Sequence, residues 1–304
     1  RSMGKDKNPP KQQSSLMLPA SIFCLAVALG VNAYLLHSGS PSAVREYHGF
    51  FSKLGFETKN FREVSKTDVQ QYWDTKPCNS GWRFGDEKVG TKEYFEEVEA
   101  RKYKVEYHIP PFAEFPKWKG KKVLEVGGGI CTTATSFAKH GANISVIDLS
   151  PKSMELCKQR FGVYGLNANF YVGDAEHLSN FVPVEPYDLV WSFGVIHHSP
   201  YPELSAKEIR KYMNKDSVFK LMLYTKVSFK LFWIMKHTNH WDLSKMDEVV
   251  AHYSEAVEGS PVTYTYTISE ARMLLEDAGF EVLSVEKAHI FPYEISAYHQ
   301  NKYV

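Results

Sequence analysis

The chain has 304 residues, enough for one large domain or two small ones, and its 43% hydrophobic and 14% aromatic content can build a sizeable core. Lys and Arg number 36 against 35 Asp and Glu, a net charge of +1, which excludes a chain dominated by nucleic-acid electrostatics; no nucleic-acid partner is expected. The four cysteines, Cys24, Cys78, Cys131 and Cys157, show no paired spacing, so neither a disulfide framework nor a zinc site is expected.

Residues 1–15 are polar and carry prolines, the composition of an unstructured tail. Leu16 to Leu36 then runs without a charge. As a helix it would reach about 31 Å, the thickness of a hydrocarbon core. A signal peptide has a shorter apolar core, and a buried core helix would stand ahead of a domain that is already complete. The segment is therefore read as an uncleaved single-pass anchor, which makes the membrane a partner. Lys5, Lys7 and Lys11 precede it and only Arg45 and Lys53 follow closely, a bias that sends the domain across the membrane. Against this, the sequon Asn143-Ile144-Ser145 falls at the start of a strand expected to be buried, and the missing disulfide spacing favours a reducing side.

Residues 37–114 are read as a linker followed by a helical segment. Helical signals cover Ser65 to Trp73 and Thr91 to Tyr107. In the second, Tyr94, Val98, Arg101 and Val105 follow a 3–4 spacing, with acids early and bases late as the helix dipole prefers. Pro110-Pro111 ends it.

Residues 115–304 alternate strand and helix. Val123-Leu124-Glu125-Val126 is a short apolar run cut by Gly127-Gly128-Gly129, the pattern of a buried parallel strand. Thr132 to His140 follows as a helix stopped by Gly141. Ile144 to Ile147 is a second strand with Asp148 at its carboxyl end. Pro151 to Phe161 is a helix started by Ser150, and Asn169 to Val172 a third strand followed by Asp174. Tyr187 to Ser192, Ser217 to Tyr224 and Val282 to Val285 supply strands four to six, the last after a helix from Ser269 to Ala278. His289 to Ile295 would be a seventh, antiparallel strand. The expected fold class is α/β, a doubly wound, mostly parallel seven-stranded sheet. Ligands of such sheets lie outside the carboxyl ends of the strands.

A dinucleotide fingerprint would need glycine at Thr132. The turn instead carries an acid two residues ahead of it, Glu125-x-Gly127-x-Gly129-x-Cys131, which would repel a pyrophosphate and suits a ligand with an ammonium and a ribose. This stretch resembles motif I of the class I S-adenosylmethionine (SAM)-dependent methyltransferases, in their small-molecule branch. The resemblance covers roughly residues 115–295. It implies SAM as cofactor, with Glu125, Gly127 and Gly129 at the methionine end, Asp148 and Leu149 at the ribose, Asp174 and Ala175 at the adenine, and Phe193-Gly194 below the methyl. It also implies that the segment before the sheet forms a lid, in which Tyr72, Trp73, Tyr94 or Tyr103 would wall the acceptor pocket; for any one aromatic, ordinary packing is the competing reading. SAM is made in the cytosol, so the resemblance favours a cytosol-facing domain. The family carries a third glycine where Cys131 stands, which keeps an inactive SAM-binding scaffold as an alternative.

Strand four ends in Phe193-Gly194-Val195-Ile196-His197-His198. A histidine there can take a proton from an incoming hydroxyl, thiol, amine or carbon acid, so His197 and His198 are both candidate bases; helix capping or packing is the alternative. The insert over residues 225–261 carries apolar residues with scattered Lys, suited to cover an acceptor or to lie on a membrane surface. His237-x-x-His240 lacks further ligands, and no metal is expected. Transfer of a methyl group to a small-molecule or lipid-like acceptor is the function this reading supports, with a protein acceptor docked through the insert as an alternative.

Overall fold

The computed structural model describes residues 61–75, 77, 88–226, 228, 231, 232, 235, 236, 247, 250 and 260–288. The tail, anchor and linker expected before residue 61, most of the insert including His237 and His240, and the seventh strand at 289–295 lie outside the described residues. Among the described residues no helix is long and apolar enough to cross a membrane.

Two helices precede the sheet. Helix α1, Lys66–Thr75, begins where the Ser65 hydroxyl accepts from the Asp68 amide; helix α2, Lys92–Val105, is capped by Thr91 accepting from Tyr94. A short helix α3, Ile109–Ala113, carries the two prolines in its first turn, where their missing amides cost nothing. Then come β1 (Lys122–Val126), α4 (Thr132–Lys139), β2 (Asn143–Asp148), α5 (Pro151–Val163), β3 (Asn169–Val172), β4 (Leu189–Phe193), α6 (Pro202–Arg210), β5 (Val218–Met222) and α7 (Ile268–Glu276). Ser150 caps α5 by accepting from Ser153, as its sequence predicts, and Thr267 with Glu270 forms a capping box on α7.

The strands pair in parallel in the order β3-β2-β1-β4-β5. The chain leaves β1 toward one edge and returns through β4 toward the other, so the switch in winding direction falls between β1 and β4. A crevice opens there, at the carboxyl ends of the strands. Side chains alternate across the sheet. Val123, Leu189 and Trp191 face a core built with α4 and α5, whereas Leu124, Val126 and Val190 face Ile209 and Tyr212 near α6. Trp191 and Phe137 are fully buried, each worth roughly 1.5–3 kcal/mol of burial.

Two expectations need correcting. Among the described residues the sheet has five strands, not seven. Val282 to Val285 alternates like a strand but forms none: Leu283 is 79% exposed, and the Val282 carbonyl accepts from Arg272 rather than from a neighbouring strand. Second, Cys131 and Cys157 are joined by a disulfide, with Cα atoms 5.0 Å apart. Their separation of 26 positions carries no pairing signal in the sequence. The two β-α-β crossovers lay α4 and α5 on the same face of the sheet, which brings Cys157 of α5 against the turn that starts α4.

Candidate active site

The crevice is lined from four directions: the turn after β1, the carboxyl ends of β2 and β3, the end of β4, and α1 and α2 from outside the sheet. The turn is shaped by backbone geometry. Gly127 has φ +80° and stands so close to Val195 that a Cβ there would lie 2.3 Å from its methyl groups. Only glycine fits. Its amide and that of Gly128 both donate to the Ile147 carbonyl, which ties the turn to β2. Cys131 adopts the left-handed conformation, φ +60° and ψ +36°, that glycine would hold without strain. Its side chain points away from the crevice into the disulfide, and the turn keeps its shape with cysteine in this place.

Glu125 sits at the base of the crevice, 4% exposed. Its Oε2 atom has no hydrogen-bond partner among the described residues. Burial pushes its pKa up to about 8, against the nearby Lys102 ammonium, which pulls it down. A buried carboxyl with an unused oxygen in a cleft is the complement of a ligand ammonium. At the end of β2, Asp148 accepts from the Gly129 amide through Oδ2 (2.7 Å) and from the Ser150 amide through Oδ1 (2.8 Å). Each oxygen keeps a further acceptor position, as a vicinal diol requires. Asp174, after β3, lines the same crevice, as do Leu149, Ala175, Phe193 and Gly194. All nine residues expected to hold a cofactor therefore border one cavity.

The other expected residues divide. Trp73 lines the crevice; Tyr72, Tyr94 and Tyr103 do not. Tyr94 is 1% exposed and packs with Phe95, Val98, Ile130 and Leu156 between α2 and the sheet. The Tyr103 hydroxyl bonds to the Ser136 hydroxyl at 2.6 Å, which turns the ring into the α2–α4 contact, and Tyr72 stands edge-on to Trp73. The two histidines also separate. They lie on a 3-10 turn after β4, where successive residues point about a third of a turn apart. His198 faces the crevice beside Trp73, with ring centroids 5.2 Å apart. His197 is fully buried and does not line the crevice; its ring lies tilted against Tyr224 and against His198, each at 4.2 Å. The His198 Nδ1 lies 2.8 Å from the Val262 carbonyl, which can only accept, so Nδ1 carries a proton.

Sequence reasoning missed Lys66 and Val69 on α1, Lys102 on α2 and Glu106 just after it, all of which border the crevice. Lys66, Val69 and Trp73 stand at positions i, i+3 and i+7, one face of a helix, a spacing that could have pointed to them. It also missed Arg160, a fully buried guanidinium on α5 that bonds to Thr132 and Thr135 of α4 and to Glu99 of α2.

Residues 123–216 match the family model described as a methyltransferase domain. The likeness to methyltransferases rests on these 94 residues, about a third of the chain. It is 32% identical over 101 residues to the chloroplastic 2-methyl-6-phytyl-1,4-hydroquinone methyltransferase 1 of Oryza sativa subsp. japonica, covering 33% of this chain and 29% of that one. It is 30% identical over 89 residues to the ubiquinone biosynthesis O-methyltransferase of Coxiella burnetii, covering 29% and 37%. The chain thus spans about a third of the length of these curated relatives. Its fold is similar to the crystal structure of magnesium protoporphyrin IX methyltransferase from Synechocystis with bound SAH, at 15% identity and TM-score 0.52, covering 75% of this chain and 95% of that one.

Proposed function

We propose that this chain is a membrane-anchored, SAM-dependent methyltransferase that acts on a small-molecule, lipid-like acceptor. The observation that carries the reading is the set of three acids around one glycine-turned cavity. Glu125, with its unused buried oxygen, would hold the ammonium of the methionine end. Asp148 would accept from the ribose hydroxyls, and Asp174 from the amine of the adenine. SAM supplies a sulfonium-activated methyl group, so the protein's part is mainly alignment and removal of one proton. His198 is the residue suited to that removal, since its Nδ1–H is fixed on the Val262 carbonyl and its Nε2 would be the atom to take the proton. Trp73, Phe193 and Met222 give the acceptor end an apolar, aromatic character. Hydroquinone and ubiquinone-pathway names among the relatives favour a phenol-like acceptor with an apolar tail.

Residues 16–36 supply the anchor in this reading and would keep the site near lipid substrates. A disulfide belongs to oxidising compartments, so the Cys131–Cys157 bond removes one argument for a cytosol-facing domain. The test is transfer of labelled methyl from SAM into organic-soluble product by the full chain, offered phenolic and hydroquinone lipids. Label in the lipid fraction that disappears with Asp148→Ala supports the reading. Binding of SAM with no transfer to any acceptor, and label on protein instead, would each refute it in favour of the scaffold or the protein methyltransferase.

A further inference from the structure

The acid expected to read the adenine does not stand alone. The Lys66 ammonium, at the first turn of α1, lies 3.1 Å from Asp174 Oδ1 and 2.7 Å from Glu176 Oε1, and donates to the Ser199 hydroxyl at 3.2 Å. Glu176 is 5% exposed and accepts as well from the Ser199 hydroxyl and from the Tyr201 amide at 2.9 Å. Asp174 Oδ1 is further engaged by the Glu176 amide at 3.0 Å, which leaves Oδ2 turned to His177 at 3.5 Å and to its surroundings. Asp174, Glu176 and His177 form a group compact enough for a cation, and a protein ammonium bridges its two acids. Two acids this close call for a positive partner between them. That partner comes from outside the sheet, on a helix that also brings Val69 and Trp73 to the crevice.

Helix α1 is fastened at its other end too. Gln70 donates to the Leu149 carbonyl at 3.0 Å, and Asp74 accepts from the Ser150 hydroxyl at 2.7 Å and the Lys152 amide at 3.2 Å. These ties run to the residues just after Asp148, on the ribose side of the cavity. The helix thus spans from the end of β2 to the end of β3 and touches both acids' neighbourhoods.

We propose that Lys66 is a positioning residue for adenine recognition: its ammonium holds Asp174 in place, so that selection of a 6-amino purine depends on α1 being seated. The proposal rests on the SAM reading of the site. It assigns a role in specificity to a segment outside the sheet and the glycine turn. Lys66 touches the acid, and the acid touches the base.

The test compares two ligands, S-adenosylhomocysteine and its deaminated analogue S-inosylhomocysteine, by calorimetry on the full chain. They differ at the 6-substituent that Asp174 would meet, an amine against a carbonyl, and in the proton that the carbonyl form carries on N1. Wild type should prefer the adenosyl ligand by roughly tenfold or more, the size of one hydrogen bond to a charged group. Lys66→Met should weaken the adenosyl ligand by about that factor and change the inosyl ligand less than threefold, so that the preference collapses. Lys66→Arg, which keeps the charge, should retain the preference; Lys66→Gln replaces the Met variant if that melts too low to titrate. Equal weakening of both ligands by Lys66→Met or Lys66→Gln would make Lys66 a structural tie only and overturn the proposal. A wild type that binds both ligands equally would remove Asp174 from adenine selection, and the proposal with it, while SAM binding stands. A wild type that binds neither would bring down the SAM reading itself.

Discussion

Replacing Cys131 by glycine sets two effects of opposite sign against each other. The left-handed backbone at Cys131 costs an L-residue about 1–2 kcal/mol that glycine would not bear. The same substitution removes the cross-link to Cys157. In the chain-entropy account, closing a loop of 26 positions stabilises the fold by about 3.5 kcal/mol. The cross-link wins, and Cys131→Gly should lose about 2 kcal/mol net. For a domain of this size that lowers the melting temperature by roughly 4–8 °C. The assay is thermal unfolding followed by circular dichroism, with wild type that has been unfolded and refolded in reductant as a second arm. That arm should fall further than the variant, because it keeps the strained backbone and loses the bond. A variant that melts above wild type would mean that strain alone operates, and would refute the cross-link. Because the Cys131 side chain points away from the crevice, affinity for S-adenosylhomocysteine should change little in the variant.

Two further outcomes follow from the site. Burial holds the Glu125 carboxyl protonated up to about pH 8, so at pH 7 an incoming ammonium should expel its proton. The binding enthalpy of S-adenosylhomocysteine should then vary with the ionisation enthalpy of the buffer, and a buffer-independent value would contradict the role given to Glu125. In the free protein the raised pKa makes the Glu125 contribution to stability full below about pH 4.5 and progressively lost as pH rises toward and past 8; Glu125→Gln should remove that slope from pH-dependent melting. His198→Asn should cut turnover at least tenfold while leaving ligand affinity within twofold, as loss of a general base does. His197→Asn should chiefly lower the melting temperature, and an equal effect of the two variants on turnover would undo their separation.

The glycine turn and its acids were legible because they are local. An apolar strand, a turn that needs positive φ and an acid at the next strand end are written within thirty residues. Asp174 was legible for the same reason, standing directly after β3. What could not be read depends on how helices are rotated and stacked. Tyr94 and Trp73 look alike in sequence, but the faces of α1 and α2 send one into the core and the other to the crevice. His197 and His198 are neighbours whose rings lie 4.2 Å apart, yet of the two His198 alone lines the crevice. Cys157 meets Cys131, and Lys66 meets Glu176, only through the packing of helices onto the sheet, with 110 positions between the second pair. Val282 to Val285 has the alternation of a strand, and alternation alone does not make one.

The central claim is that one cavity, bounded by Glu125, Asp148 and Asp174, holds SAM. Calorimetric titration of the full chain with S-adenosylhomocysteine, beside Asp148→Asn, tests it most directly. The account predicts micromolar binding by wild type and a loss of roughly tenfold to a hundredfold in the variant, the worth of hydrogen bonds to a charged acceptor. No binding by folded wild type, or binding that Asp148→Asn leaves untouched, would contradict it.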